Sequence, residues 1–319
     1  MNAEELSAEL ARIASEVGQV LVGQDELVEH VLVGLIARGH VLIEGVPGLG
    51  KTLLVRALAR VLGLSFRRIQ FTPDLMPSDI TGSTLYSQKL GEFSFVPGPV
   101  FCELLLADEV NRAPAKTQSA LLEAMQERSV TTDGVTRPLP EPFLVLATQN
   151  PIESQGTYPL PEAQLDRFLL KLEVEHPSQA AEAKILANYV AGFDPGELVH
   201  LKQISSQDSI LRMQRALSGI RVTSEIIDYI TDIVRRTRNH PSVSLGASPR
   251  ASIGLLGVAR AHALWEGRDF VTPDDVKSYA HAVLRHRLLL QPDAELEGIT
   301  ADHCVDSVLR DAVVPKTSA

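Results

Sequence analysis

The sequence has few cysteines and no long apolar run, and both features restrict the kind of protein it encodes. Its two cysteines, Cys102 and Cys304, cannot build a disulfide framework and lack the spacing of a zinc site, which suits a reducing compartment. The most apolar stretch, Val31 to Val46, is interrupted by charges and is shorter than the roughly 20 residues of a membrane span. The N-terminus carries acidic residues and no apolar segment typical of a signal peptide, so we expect a cytoplasmic protein.

Positive charge is also scarce. The chain has 30 Lys and Arg against 40 Asp and Glu, a net charge of −10, which argues against a broad basic face for nucleic acid but does not exclude a local basic channel. No HExxH, GxSxG or internal repeat is present. The hydrophobic content of 45% excludes disorder as the main state, and the length of 319 residues suggests about two domains.

The first half of the chain alternates between strand and helix patterns. Helices are predicted at Ala3–Val17, Asp25–Arg38 and Leu53–Leu62. Strands are predicted at five segments, the first, third and fourth of them short apolar runs: His40–Glu44, Ser65–Phe71, Glu103–Ala107, Phe143–Ala147 and Leu169–Val174. Nearly continuous apolar strands separated by helices predict an α/β domain, whose parallel sheet is covered on both faces.

The second half has helical periodicity almost throughout. Helices are predicted at Gln179–Val190, Asp208–Leu217, Ser224–His240, Ser248–Gly267 and Pro273–Leu290. The change in pattern near His176-Pro177 predicts an α/β domain over residues 1–176 and an all-helical domain over 177–319.

A phosphate-binding loop is the most specific motif. The pattern G-x-x-x-x-G-K-[ST] is matched at every fixed position by Gly45, Val46, Pro47, Gly48, Leu49, Gly50, Lys51 and Thr52. The segment follows a predicted strand and opens a predicted helix, which is the context this motif requires. Its backbone N–H groups would face phosphates, Lys51 would reach the β- and γ-phosphates, and Thr52 would hold Mg²⁺.

Further polar residues follow other predicted strands. The apolar run Leu104–Ala107 ends in Asp108 and Glu109, which would hold Mg²⁺ and activate the attacking water, respectively, with strand alternation pointing them to different sides. Asn150 follows the next strand and is either a water-positioning amide or part of an ordinary turn before proline. Arg167 and Arg250 are either catalytic or surface ion pairs, and the residues alone do not decide.

Taken together, the motifs GVPGLGKT, LLLADEVNR, ATQNP, LPEAQLDRF and GASPRA resemble those of the MoxR family of AAA+ ATPases over nearly the whole chain. The resemblance implies a P-loop AAA+ core with a five-stranded parallel sheet between helices, followed by a smaller helical lid. It also implies a ring, usually a hexamer, that binds and hydrolyses ATP with Mg²⁺.

The same resemblance implies roles for single residues. Lys51 and Thr52 match Walker A, Asp108 and Glu109 match Walker B, and Asn150 matches sensor 1. Arg167 matches an arginine finger that acts in the neighbouring subunit, and Arg250 matches sensor 2, acting in its own subunit or across the interface. The nucleotide would be held by the loop from Gly45 to Leu53, with Val22, Gly23 and Gln24 near the adenine.

Two insertions fit the helix-2-insert group of these ATPases. Residues 76–100 resemble the helix-2 insert, and residues 129–140 resemble the hairpin before sensor 1, with Asp133-Gly134 as its turn. In related machines these loops face a central pore and touch the substrate, although two ordinary surface loops would have the same pattern.

Several functions fit this sequence. The leading one is a remodelling motor that matures, assembles or inserts metal into a separate protein, by resemblance one with a von Willebrand factor A domain. The alternatives are a nucleic-acid motor, the motor subunit of a metal chelatase, and a nucleotide-gated adaptor without turnover. Nucleic acid is disfavoured because the hairpin tip Thr132-Asp133-Gly134 carries no cation.

Basic clusters outside the motifs have a simpler interpretation. Arg235–Arg238 and Arg285–Arg287 are expected to lie on solvated helix faces or against a neighbouring subunit. His281 and His286 are expected at the surface or at an interface.

Overall fold

Strands and helices alternate in the first half of the chain, and helices dominate the second. A computed structural model describes residues 2–46, 48–88, 91–150, 158–194 and 197–315. Its strands are β1 Val41–Glu44, β2 Phe66–Gln70, β3 Gly82–Ser87, β4 Glu92–Pro97, β5 Leu104–Asp108, β6 Ser129–Thr132, β7 Val135–Pro138, β8 Leu144–Gln149, β9 Leu170–Glu173, β10 Val243–Leu245 and β11 Leu289–Leu290. Its helices are α1 Ala3–Gly18, α2 Asp25–Ile36, α3 Lys51–Leu62, α4 Pro77–Thr81, α5 Ala115–Glu127, α6 Glu162–Leu165, α7 Gln179–Val190, α8 Gln207–Ala216, α9 Ser224–Arg238, α10 Pro249–Trp265, α11 Pro273–Leu284, α12 Pro292–Leu296 and α13 Ala301–Asp311.

Five strands form the central sheet in the order β2-β5-β8-β1-β9, and all their pairings are parallel. This confirms the predicted parallel five-stranded sheet. Alternate residues of one strand enter opposite cores: Leu104 and Leu106 pack on one face, and Leu105 packs on the other. Both faces are therefore covered, which is why the inner strands β1, β5 and β8 are apolar until their last residues. The edge strands β2 and β9 carry polar residues as well, including Arg67 and Arg68 on β2 and Lys171 on β9.

The helical second half packs against the N-terminal helices. Helix α10 contacts α11, α9, α1 and α2, and side chains from all five helices belong to one apolar core that also includes a face of the sheet. The domain boundary at residue 176 stays a prediction, since no gap between separate cores marks it. None of the helices in the described ranges is long and apolar enough to cross a membrane.

The last predicted lid helix, Pro273–Leu290, was predicted too long. Helix α11 ends at Leu284, a 3₁₀ turn follows at Arg285–Arg287, and β11 then pairs with β10. The turn directs His286 and Arg287 inward, so the expectation of a solvated basic face and a surface histidine is wrong there. Both are buried: His286 is 6% exposed, and the Arg287 side chain is 4% exposed.

Both predicted insertions form hairpins. Residues 76–100 contain α4 and the β3–β4 hairpin, and residues 129–140 contain the β6–β7 hairpin. Asp133 and Gly134 both have positive φ (54° and 75°), as a type I′ turn requires. The hairpins contact each other, because Thr84 Oγ1 donates to Asp133 Oδ2 (2.5 Å) and the Arg137 guanidinium lies 3.9 Å from the Phe95 ring centre.

A buried histidine joins several elements at the end of the sheet where β1 and β8 begin. His40 Nε2 donates to the Met125 carbonyl at the end of α5 (3.1 Å), and its Nδ1 accepts from the Val145 N–H of β8 (3.0 Å). Its own carbonyl accepts from the Leu169 N–H (2.8 Å). The ring is therefore neutral with both nitrogens satisfied, and complete burial lowers the pKa of His40 to about 4.

This histidine predicts acid sensitivity of folding. The folded protein keeps His40 neutral down to about pH 4, whereas the unfolded chain protonates it below its ordinary value of 6.5. The unfolded state thus holds more protons in this window, and stability falls as the pH drops through it, by about 3 kcal/mol from this residue. Urea unfolding of wild type and His40→Gln between pH 7 and 4 should give a flatter pH profile for the variant; parallel profiles would contradict the assignment.

Candidate functional site

A cleft of about 760 Å³ lies at the carboxyl ends of β1, β5 and β8. Parallel strands bring their carboxyl ends to one edge, where ligands bind in sheets of this kind. Most of the predicted nucleotide and metal residues line it: Val22, Gln24, Gly45, Gly48, Leu49, Gly50, Lys51, Thr52, Leu53, Asp108, Glu109 and Asn150.

The loop between β1 and α3 is built to receive an anion. Gly50 precedes α3 in a left-handed conformation (φ 78°) that other residues rarely adopt, and it supplies no side chain to cap the helix. The N–H groups of the first turn are therefore left for a ligand. Gly45 packs so closely that a Cβ there would lie 2.8 Å from the Val174 carbonyl oxygen.

The Lys51 ammonium lies inside this loop and donates to the Gly45 carbonyl. Partial burial lowers the pKa of Lys51, whereas the nearby acids Asp108, Glu109 and Glu44 act to raise it. The Lys51 ammonium, surrounded by the backbone N–H donors of the loop, is suited to bind a group that carries several phosphate charges.

Asp108 ends β5 among hydrogen-bond donors. Its Oδ1 accepts from Thr148 Oγ1 of β8 (2.5 Å), and its Oδ2 lies 2.7 Å from Arg68 Nη2 of β2. The Thr148 hydroxyl also accepts from the Glu109 N–H (2.8 Å). Thr148 thus ties the two acids to the neighbouring strand.

Glu109 lies beyond the strand in a left-handed conformation (φ 57°, ψ 50°), which is uncommon for a residue other than glycine and clusters at functional sites. The turn, and not strand alternation, separates its direction from that of Asp108, because β5 ends at Asp108. The Glu109 Oε2 accepts from Gln70 Nε2 (2.8 Å) and lies 3.0 Å from Arg112 Nε.

The other end of the cleft is apolar. Val20, Leu21 and Val22 line one side, and Ile185 and Tyr189 of α7 line another. Gln24 donates through Nε2 to the Leu49 carbonyl (2.9 Å), which fixes the orientation of its amide. Its Oε1 is buried and, among the described residues, has no hydrogen-bond partner. A flat apolar ligand with an N–H group at its edge would fit between these side chains and donate a hydrogen bond to Gln24 Oε1.

Two predicted catalytic residues lie elsewhere. Arg167 and Arg250 line a separate cavity of about 220 Å³ with Met125, Gln126 and Asp166, and neither is among the described side chains that line the larger cleft. Arg167 Nη1 donates to Gln126 Oε1, and its Nε is buried without a partner among the described residues.

Of the predicted nucleotide-binding residues that the structure describes, two do not line the larger cleft, and one further residue is not described. Pro47 falls outside the described residues. Gly23 and Val46 are described but are absent from the cleft lining; Gly23 instead packs against Ala181.

Sequence reasoning missed several residues of the cleft. Arg68 and Gln70 are two apart on β2, and Gln70 is in register with Asp108 on the adjacent β5. A period-two polar pair ending a strand was a signal that could have found them. Ile185 and Tyr189 are four apart on α7 and resemble ordinary core positions, so the sequence offered no such signal for them.

The fold and this cleft define an ATPase of the AAA class. Residues 40–170 match the ATPase family associated with various cellular activities (AAA), and residues 235–308 match the AAA lid domain. A crystal structure of a protein from Cytophaga hutchinsonii ATCC 33406 has 41% sequence identity and a TM-score of 0.91, covering 98% of this chain and 97% of that one.

Close relatives narrow the class. Chaperone MoxR1 of Mycobacterium tuberculosis is 49% identical over 99% of this chain and 86% of its own length. The uncharacterized protein YeaC of Bacillus subtilis is 47% identical over 98% of this chain and 97% of its own length. The chain belongs to the MoxR family of AAA+ ATPases.

Proposed function

We propose that the protein binds and hydrolyses ATP in a ring of identical subunits and uses that cycle to remodel other proteins. The observation that carries the proposal is the convergence of the phosphate loop, Asp108, Glu109 and Asn150 on one cleft, with Arg167 and Arg250 together at a second site. Family membership supports nucleotide binding, and the similarity to Chaperone MoxR1 supports a chaperone role.

The cleft fits ATP in three respects. The uncapped start of α3 and Lys51 suit the phosphates. The apolar walls suit a purine ring. The unpartnered Gln24 Oε1 suits the exocyclic amine of adenine, whereas guanine would present an acceptor at that position.

Thr52 and Asp108 would hold Mg²⁺, since hydroxyl and carboxylate oxygens are the ligands this ion prefers. The bound ion would neutralise charge on the phosphate oxygens. Arg68, with a side chain 46% exposed, now pairs with the carboxylate and is free to leave it toward solvent.

Glu109 would orient the attacking water and accept its proton, and Asn150 would position that water from the adjacent strand. Gln70 and Arg112 hold the carboxylate of Glu109 in place through its Oε2. Both of these contacts use Oε2, and we propose that the other oxygen, Oε1, accepts the proton of the water.

Arg167 and Arg250 would act in the neighbouring subunit. They line a cavity apart from the nucleotide cleft of their own chain. A ring of six subunits, the number implied by the family resemblance, would bring them to the next cleft. Guanidinium groups supplied in this way stabilise charge on the transferring phosphoryl group.

Two substitutions separate binding from hydrolysis. Glu109→Gln should bind ATP as wild type does but lose turnover by roughly 10²–10⁴-fold, because the proton acceptor is gone. Lys51→Ala should bind ATP at least about tenfold more weakly, since a hydrogen bond to a charged group contributes about 1.5–3 kcal/mol. Phosphate release and fluorescent-nucleotide titration measure the two effects. Normal hydrolysis by Glu109→Gln would remove that residue from the role.

Mixed rings test action across the interface. Arg167→Ala and Glu109→Gln proteins should each retain only a small, measurable fraction of the turnover, but a mixture should regain part of the activity. At some interfaces an intact cleft of the Arg167→Ala subunit meets the intact arginine of its neighbour. Turnover is measured against mixing ratio, with native mass spectrometry to establish co-assembly. Co-assembled rings that gain no activity at any ratio would refute action in trans.

The hairpins favour a protein client over nucleic acid. Leu85, Tyr86 and Phe93 of the β3–β4 hairpin are 54%, 55% and 73% exposed, an unusual concentration of apolar surface. The sequence of the two hairpins (82–97 and 129–138) contains two cations, Lys89 and Arg137, and the Arg137 guanidinium is stacked on Phe95. The client would be a separate polypeptide, by family resemblance one with a von Willebrand factor A domain.

The client surface predicts a specific defect. A Tyr86→Ser, Phe93→Ser double variant should lose most of the ATPase stimulation caused by a chemically unfolded test protein, while basal turnover stays near wild type. Leu296→Ser is the matched control, because Leu296 is 87% exposed but lies on α12 of the lid. Stimulation by DNA that weakens steeply with salt, without stimulation by protein, would favour the nucleic-acid motor instead.

A further inference from the structure

A buried arginine of the lid, Arg287, makes nearly all of its hydrogen bonds to the segment that carries Arg167. The Arg287 guanidinium donates from Nε to Asp166 Oδ1 (2.7 Å), from Nη2 to the Phe168 carbonyl (2.6 Å) and from Nη1 to the Leu169 carbonyl (3.2 Å). Its remaining contact within the lid is to the Val283 carbonyl. Nη2 also donates to the Asp166 carbonyl (3.4 Å), so each of the five N–H groups has an acceptor. The guanidinium therefore holds the backbone on both sides of Arg167.

The other oxygen of Asp166 reaches a second part of the lid. Asp166 Oδ2 accepts from Ser248 Oγ (3.2 Å), the N-cap of α10, and lies 3.9 Å from Arg250 Nη1. One carboxylate therefore connects the 3₁₀ turn with the start of α10. The residue after it is Arg167, and Arg167 and Arg250 line the same small cavity.

Packing leaves this segment little freedom. Phe168 is 1% exposed in the core below the sheet, and its carbonyl also accepts from His286 Nε2 (3.0 Å). Breaking a buried, hydrogen-bonded ion pair by removing one partner leaves an uncompensated charge, so the arrangement has few alternatives. A shift of about 1 Å in a catalytic group is enough to cost roughly a hundredfold in rate.

We propose that Asp166 and Arg287 are positioning residues that fix Arg167 and Arg250 relative to each other, so that one subunit presents both guanidinium groups to its neighbour as a single rigid unit. We call this pair the Asp166–Arg287 clamp. The inference rests on the proposed function of Arg167 in trans. It assigns to the lid, through Arg287, control over a residue of the α/β core.

Asp166→Asn tests the clamp while keeping the size of the side chain. Turnover should fall about ten- to a hundredfold, whereas ATP affinity and KM stay within about twofold, because the nucleotide cleft of the variant subunit is intact. The control is Asp302→Asn, which removes the carboxylate 2.7 Å from Arg285, two residues from Arg287, within the lid. This control should retain wild-type turnover. If the Asp166→Asn protein melts at a much lower temperature than wild type, Arg287→Lys is used instead. This substitution keeps the positive charge but removes the planar guanidinium and its paired N–H donors.

Two readouts distinguish positioning from a general structural defect. Asp166→Asn added to Arg167→Ala should cause no further loss, since it acts through the missing group. Mixing Asp166→Asn with Glu109→Gln protein should restore turnover at mixed interfaces, as Arg167→Ala does. Two results would overturn the clamp but not the proposed function of Arg167. One is an additive loss of turnover in the Asp166→Asn, Arg167→Ala double variant. The other is normal turnover of both Asp166→Asn and Arg287→Lys when Arg167→Ala has lost nearly all of its turnover. Full activity of Arg167→Ala would overturn the proposed function and the clamp with it.

Discussion

The parallel pairing of the five central strands is the constraint on which the rest of the site depends. Because every strand runs in the same direction, the ends of β1, β2, β5 and β8 meet at one edge, with Glu44 in register with Gln149 and Gln70 with Asp108. Each strand can then deliver a different polar group to a shared cleft while its interior remains apolar. The chemistry is confined to the edge, and the stability comes from the two cores on either face.

Much of this was readable from the sequence because the signals were local. A glycine-rich loop between a strand and a helix has one strong structural interpretation, and the apolar run ending in Asp108 identified a neighbouring strand end. Arg68 and Gln70 were missed because their role depends on which strand lies beside β5, and strand order is a long-range property. His286 and Arg287 were assigned to the surface because charge usually indicates exposure. Arg287 is buried against Asp166 and His286 against the Phe168 carbonyl, and both partners are more than a hundred residues away in the chain.

The two groups of catalytic candidates differ in how they are held. Asp108 and Glu109 are positioned by their own strand and by Thr148 on the next, within one layer of the fold. Arg167 is positioned by the lid, from the other half of the molecule. A movement of the lid would therefore leave Asp108 and Glu109 in place but displace Arg167 and Arg250. Its main effect would be on the nucleotide site of the adjacent subunit, to which these arginines would contribute.

The ion pair between Glu109 and Arg112 also connects the cleft to the two hairpins. Arg112 ends the 3₁₀ turn after Glu109, α5 begins three residues later, and α5 runs directly into the β6–β7 hairpin. Thirteen residues of helix span about 20 Å, so a tilt of about 10° at the Glu109 end would move the hairpin end by about 3 Å. The β3–β4 hairpin would travel with it, because Arg137 rests on Phe95 and Thr84 holds Asp133. A small change at the Glu109–Arg112 ion pair would therefore be amplified along α5 into a larger displacement of the exposed aromatic rings on the hairpins.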